Sequence, residues 1–270
     1  MRDAFLNALT SIAEIDDSVT LLTADLGYGV FESFEEKFKN QYFNVGVAEQ
    51  NMTGLAVGLA LEGKKVITYS IGNFPTLRCL EQIRNDACYH NANITIVCSG
   101  GGFSYGALGM SHHATEDLSI LRALPGITVT APCTPWETEQ LTKLLVNQNS
   151  VSYLRLDKSY PIEEAESKYD FKLSKYNRYR EGNDYTIFAI GGILEEAIKA
   201  SEILKKDNVA IRVIGVHTIK PLNKTEIIDA AVNTKGIISI EENNVRGGLG
   251  SAIAELLCNE NIYPNYFKSI

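Results

Sequence analysis

The chain has no CxxC pair and no histidine set at zinc-ligand spacing. Its five cysteines (Cys79, Cys88, Cys98, Cys133 and Cys258) are odd in number and scattered, three of them inside apolar runs. This usage predicts buried free thiols in a reducing, cytoplasmic compartment. The four histidines, His90, His112, His113 and His217, recur with neither cysteine nor carboxylate at ligand spacing, so no metal site is expected within the chain itself. No run approaches the roughly 18 apolar residues of a membrane span. Positive charge is also scarce: 25 Lys+Arg stand against 33 Asp+Glu, a formal charge of -8. Such a balance gives no electrostatic reason to bind a nucleic-acid backbone or an anionic membrane surface. The opening "MRDAFLNALTSIAEIDD" carries acids early and apolar residues at helical spacing, which reads as a surface helix rather than a signal peptide.

What the chain does have is length, 270 residues, and 45% hydrophobic residues. That is more than one ordinary domain of roughly 100 to 200 residues needs. Strand-like runs ("VTLLTAD", "KVITYSI", "NITIVCSG", "GITVTAP", "VSYLRL") alternate with amphipathic segments such as "TLRCLEQIRNDACYH" and "PWETEQLTKLLVNQ". This alternation predicts a parallel sheet covered by helices. After a charged, tyrosine-rich stretch the pattern resumes with "YTIFAIGG", "VAIRVIGV" and "KGIISIEE". The predicted fold class is α/β: two domains, each a mostly parallel sheet flanked by helices, over residues 1–160 and 184–270. Residues 161–183 read as a linker with room for one short strand or hairpin.

Two glycine-rich stretches follow predicted strands, and neither matches a dinucleotide or phosphate-loop fingerprint. "RGGLGSA" (Arg246–Ala252) reads as an ordinary strand-to-helix turn. "SGGGFSYGALG" (Ser99–Gly109) has five glycines in 11 residues, longer than a turn needs, and sits where open parallel sheets bind ligands. It delivers "MSHHATEDL", whose adjacent His112 and His113 are open to two readings. Ser111 or Thr115 caps a helix whose first turn holds Glu116 and Asp117 beside merely exposed histidines, or the histidines contact a substrate. Glu49, in "GVAEQNM", has the same ambiguity between helix-dipole acid and tuned carboxyl. The small residues that follow it, Gly54, Ala56, Gly58 and Ala60, permit the close packing that would desolvate it.

Taken together, "GVAEQNMTGLAVGLALEGKKVITYSIGNFPTLRCLEQIRND" and "SGGGFSYGALGMSHHATEDLSILRALPGITVTAP" resemble the pyrimidine-binding domain of transketolases and their thiamine diphosphate relatives. "VIGVHTIKPLN" and "EENNVRGGLGSAIAELL" resemble the same family's C-terminal domain. The resemblance implies that Glu49 hydrogen-bonds a ring nitrogen of the cofactor's aminopyrimidine and, kept protonated by burial, promotes loss of the thiazolium proton. It further implies that Phe74 stacks on the pyrimidine, that Asp25 and Arg78 lie near the cofactor, and that His112 contacts the reacting oxygens of a sugar. Arg2 and Arg155 match phosphate-binding arginines, and an arginine fork suits a sugar phosphate.

The family's other half carries a "GDG" and an asparagine that hold magnesium and the diphosphate, and no GDG occurs here. The resemblance therefore implies one subunit of a split transketolase. A separate N-terminal subunit would bring the diphosphate and magnesium site, in an α2β2 heterotetramer that transfers a two-carbon ketol unit. Alternatives on the same resemblance are the β-subunit of a 2-oxo acid dehydrogenase, a deoxyxylulose phosphate synthase-like enzyme, or a non-catalytic partner subunit. The segment after "GGLGSAIAELL" is shorter than in relatives, which leaves room for a missing last helix, and Asn243 stands where relatives carry a histidine. Leu108 and Gly100 stand where transketolases place an aspartate and a histidine that bind donor hydroxyls. These replacements predict a modified sugar, with His113 and Tyr105 supplying some of the contacts.

Overall fold

The computed structural model describes residues 1–157, 170–173 and 175–270. Residues 161–169 and 174 of the segment read as a linker lie outside these residues. In the first half, strands β1 (Val19–Thr23), β2 (Tyr42–Asn44), β3 (Lys65–Ile71), β4 (Ile94–Ser99), β5 (Thr128–Thr130) and β6 (Ser152–Leu156) alternate with helices. These are α1 (Arg2–Ala13), α2 (Glu32–Lys37), α3 (Glu49–Leu61), α4 (Leu80–Gln82), α5 (Asp117–Ala123) and α6 (Pro135–Val146); α4 runs on as a π-helix over Ile83–Cys88. The second half contributes β7 (Asn177–Arg180), β8 (Tyr185–Ile190), β9 (Ile211–Val216), β10 (Thr218–Lys220), β11 (Ile237–Glu241) and β12 (Phe267–Ser269), with α7 (Leu194–Lys206), α8 (Lys224–Asn233) and α9 (Leu249–Asn259).

Two sheets result, with strand orders β10-β5-β6-β4-β3-β1-β2 and β12-β11-β8-β9-β7. All pairings are parallel except the edge strands β10 and β7, which run antiparallel to their neighbours. The α/β fold class read from the sequence is thus the fold of the chain. Every residue of β1, β6 and β9 is buried, as strands sandwiched between helix layers must be. Helix α1 buries Phe5, Ala8, Leu9 and Ile12, one face at 3.6 spacing, and packs on α6. Helix α6 starts at Thr134, whose hydroxyl accepts from Glu137 N, with Pro135 at the first helical position. Helix α9 is formed by "LGSAIAELL" and the next two residues, and the shorter segment that follows it contributes the parallel strand β12.

The two halves are interlocked. Strand β10 leaves the second half to close the β5 edge of the first sheet, and one hydrophobic cluster joins Leu118, Leu121 and Tyr153 to Phe188, Ile214 and Ile253. The antiparallel β7 falls inside the segment read as a linker. Tyr176, just before it, donates its hydroxyl to Thr218 O at 2.8 Å and accepts from Asn223 N at 2.9 Å, bracing both ends of β10. Among the described residues no helix is long and apolar enough to cross a membrane.

Tyr176→Phe leaves a buried carbonyl and a partly buried amide short of a partner, a loss of about 1 to 3 kcal/mol. Urea denaturation of the variant is expected to show a lower midpoint with an unchanged slope and a single transition. A midpoint equal to wild type would remove this bond from the account of how β10 is held.

Candidate active site at the carboxyl edge of the first sheet

Four adjacent strands of a parallel sheet deliver four loops to one edge, the usual location of binding sites in such sheets. Past β1 lies Asp25, past β2 Glu49, past β3 Phe74 and Arg78, and past β4 the glycine-rich loop that leads to His112.

Glu49 opens α3 and is 1% exposed. It buries with Met52, Thr53, Ala56 and Val57, while Gly54, Leu55 and Gly58 face outward. Arg78 Nη1 donates to Glu49 Oε2 at 2.5 Å. The same guanidinium lies 4.5 Å from the centroid of Phe74, a cation over the negative face of a ring. Phe74 meets His112 edge to face at 5.2 Å, and Tyr105 meets the other side of His112 at 5.9 Å. Glu49, Arg78, Phe74, His112 and Tyr105 thus form one continuous line of contacts. Among the described residues Glu49 Oε1 accepts no hydrogen bond, which leaves one oxygen of a nearly enclosed carboxyl near a partly buried aromatic ring.

Asp25 adopts φ 55°, a left-handed conformation that aspartate tolerates better than most residues. Its Oδ1 accepts from Asn44 Nδ2 at 3.1 Å and from Tyr28 at 3.0 Å, and its amide donates to Asn44 Oδ1 at 2.9 Å. Asn44, whose Oδ1 also takes the amide of Gly46, therefore ties the β1 loop to the loop that carries Glu49. Nothing in its local sequence signals this role.

The glycines of "SGGG" are contact points. A Cβ on Gly100 would sit 2.2 Å from the Tyr105 ring, one on Gly101 1.7 Å from Arg155 Nε, and one on Gly102 2.5 Å from Glu242 Cβ. The amide and carbonyl of Gly102 pair with those of Ala114, closing the base of the loop. His112 Nδ1 lies 3.0 Å from Ser111 Oγ. His113 Nε2 meets the Gly106 carbonyl at 2.9 Å; a carbonyl only accepts, so Nε2 carries a proton. Burial raises the pKa of Tyr105, and its hydroxyl bonds Ser99, with Arg2 near enough to oppose the rise. Arg2 is exposed at the start of α1, beside this tyrosine pair of Tyr105 and Tyr69.

Arg155, expected at the substrate, is 1% exposed. Its Nε donates to Asp157 Oδ1 at 2.7 Å, Nη1 to Asp117 Oδ1 at 3.3 Å and Nη2 to the Glu242 carbonyl at 2.9 Å. In this structure the two aspartates and that carbonyl take up its nitrogens. Burial works against its charge, yet Asp157 and Asp117 hold the guanidinium above its ordinary pKa. Burial also pushes the Asp117 carboxyl up, although Arg155 and the Tyr153 hydroxyl, 2.6 Å away, oppose this. Asn243, left unassigned by sequence, reaches Ser119 Oγ at 2.8 Å. Among the described residues no group of three or more His, Cys, Asp or Glu side chains is placed to hold a metal ion.

Residues 1–161 match the family described as transketolase, pyrimidine binding domain, and residues 174–266 the transketolase C-terminal domain. The chain is 34% identical over 265 residues to one of the subunits of an apulose-4-phosphate transketolase from Phocaeicola vulgatus, covering 97% of this chain and 85% of that one. It is 33% identical over 258 residues to a 6-deoxy-6-sulfo-D-fructose transketolase subunit of a Clostridium species, covering 95% and 80%. A solved structure described as a split gene transketolase, inactive beta4 tetramer, superposes with a TM-score of 0.90 at 31% identity, over 100% of this chain and 88% of that one.

Gly72, at φ +46°, has no room for a side chain, since a Cβ there would lie 2.2 Å from the His112 carbonyl oxygen. Gly72→Ala should cost about 1 to 3 kcal/mol through a non-glycine residue at positive φ and loosen the histidine loop. The expected result is a lower urea midpoint together with faster amide exchange over residues 110–114. Unchanged exchange there would show that the β3 turn does not seat His112.

Proposed function

The chain belongs to the transketolase family, and we propose that it is one subunit of a two-chain, thiamine diphosphate-dependent transketolase. In this reading it transfers a two-carbon ketol unit between sugar phosphates or modified sugars once an N-terminal partner subunit supplies the diphosphate and magnesium site, in an assembly of two copies of each chain. The observation that carries the proposal is the convergence of Glu49, Phe74 and His112 on one edge, with one carboxyl oxygen still available.

The residues present fit an aminopyrimidine. Glu49 would meet a ring nitrogen and hold or give up a proton there, while Phe74 would offer its face once Arg78 yields it. When bound, thiamine diphosphate supplies a carbon nucleophile that can carry the ketol unit. His112, steadied by Ser111 and two aromatic rings, would present Nε2 to a sugar oxygen. Arg2, exposed at the rim, would meet an anionic group. The partner reading has further support in apolar side chains left open around this edge: Tyr28 (78% exposed), Phe43, Val47 (74%), Leu77, Leu108 and Met110 (83%). An apolar collar of this kind around a polar site is a mark of a protein interface. The relatives are named as subunits, and the solved neighbour as a split-gene protein in an inactive form.

The substrate loop supports a modified sugar. A histidine cannot replace Gly100 at φ +83° without displacing the Tyr105 ring, and Leu108 is mostly exposed. Tyr105, whose hydroxyl already bonds Ser99, and His113, whose Nε2 is held by the Gly106 carbonyl, are the polar side chains this reading assigns to some of the sugar contacts. The relative named for a sulfo-deoxy sugar is in keeping with this reading.

The isolated chain is expected to show no ketol transfer and no tight, magnesium-dependent binding of thiamine diphosphate, and the partner chain to restore both. Within the restored complex Glu49→Gln should lower turnover by about a hundredfold, the scale of a lost proton-transfer group. Calorimetry that finds tight cofactor binding by this chain alone would overturn the two-chain reading, and wild-type turnover by Glu49→Gln would overturn the role of the carboxyl.

Specificity constants of the complex are expected to favour deoxy or otherwise substituted ketoses over xylulose and fructose phosphates. A strong preference for the ordinary donors would falsify the modified-sugar reading.

A further inference from the structure

The resemblance makes Arg155 a ligand of the substrate's phosphate; the geometry gives it another task. Its guanidinium is 1% exposed, and each of its three nitrogens donates to a protein oxygen in a different direction. The partners belong to three separate parts of the chain. Asp157 follows β6, Asp117 opens α5, and the Glu242 carbonyl follows β11 in the second half. Asp157 extends the contact further, because its Oδ2 accepts the amide of Gly192 at 3.0 Å.

The glycine-rich loop rests on this post. Gly101 passes so close that a Cβ there would lie 1.7 Å from Arg155 Nε and 2.1 Å from Asp157 Oδ1. Gly102 lies against Glu242 in the same way, and its two hydrogen bonds to Ala114 close the loop base at 2.9 and 3.0 Å. One residue further, the Thr115 carbonyl accepts the amide of Asn244 at 2.6 Å. Everything between these fixed points, Tyr105, His112 and His113 included, is carried by a loop whose floor is the Arg155 ion-pair network.

We propose that Arg155 is a positioning residue for His112: it sets the height of the Gly100–Gly102 backbone, and through it the place of the loop histidines, without touching the substrate. Asp157 and Asp117 are part of the same device, since they hold the fork in plane and keep it beneath the loop. A substrate anion is left to groups above the loop floor, among them Arg2. The proposal rests on the transketolase reading only for its kinetic consequence; the loop support stands apart from it.

Lysine offers one charged point where arginine offers a planar fork, so Arg155→Lys cannot reach Asp157, Asp117 and the Glu242 carbonyl together. Asp157→Asn keeps the shape of the second partner and removes its charge, and it decides the matter if Arg155→Lys does not fold. Hydrogen exchange of the amides in 102–116 is measured on each variant alone and in complex with the partner subunit. Turnover, KM for a phosphorylated donor and inhibition by inorganic phosphate are measured on the complex. The expected result is exchange in this loop faster by about tenfold or more and kcat lower by roughly tenfold to a hundredfold, the cost of slight misplacement of a reacting group. KM and the phosphate inhibition constant should move by less than about threefold, because uniform ground-state binding is untouched. Wild-type exchange in the loop, unchanged kcat, or a phosphate inhibition constant raised about tenfold or more with the loop still protected would each overturn the proposal. If the wild-type complex transfers no ketol unit, the functional reading falls and the exchange data still decide whether Arg155 supports the loop.

Discussion

Taking a guanidinium out of water costs several kcal/mol, and the cost is recovered only where oxygens stand ready on every side. Arg155 meets that requirement with Asp157, Asp117 and the Glu242 carbonyl, and no two of these come from the same element. The charge therefore cannot be buried until β6, α5 and the segment after β11 are all in place. Docking of the two halves, the start of α5 and the seating of the glycine-rich loop are bound into one event by a single side chain. Glu241, next to that segment, extends the arrangement: burial raises its pKa, and its two oxygens take the amides of Leu249 and Gly250 at the start of α9.

Around this anchor the sheet edge is assembled from contacts that are individually modest. A cation over a ring is worth about 0.5 to 2 kcal/mol, and an edge-to-face pair of aromatic rings about 0.5 to 1.5 kcal/mol. Their value lies in continuity, since each fixes the next from Glu49 through Arg78 and Phe74 to His112 and Tyr105. Arg78 takes one oxygen of the carboxyl and lies over the ring face that the proposed planar heterocycle would use. A flat, donor-bearing group already stacked on Phe74 and bonded to Glu49 reproduces the demands that the site makes of its ligand.

Much of this was legible in the sequence. The long apolar strands β1, β3, β4, β8 and β9 announced themselves because both faces are buried, and Glu49 stood out against the small residues of α3. The short strands β10 and β12 did not, because three residues hold a strand only through the partner they meet, while β7 falls where the sequence allows one short strand or hairpin. Asn44 and Ser99 act through neighbours that are distant in sequence and leave no local mark. Arg155 is the instructive case. Residues two apart on a strand share a face, so "RLD" already placed Asp157 beside the guanidinium. The resemblance to a phosphate-binding position drew the reading away from that simple neighbour.

Strand β10 has a consequence for the order in which the chain can fold. It is synthesised after β8 and β9, yet it completes the sheet made from the first half. Until Thr218–Lys220 emerges from the ribosome, β5 remains an unpaired edge, the kind of surface that invites pairing with another chain. The half of the molecule made first is thus finished only after part of the second has been made. The acid and the histidines borne by its loops come to rest on a sheet whose far border is laid down only when most of the polypeptide exists.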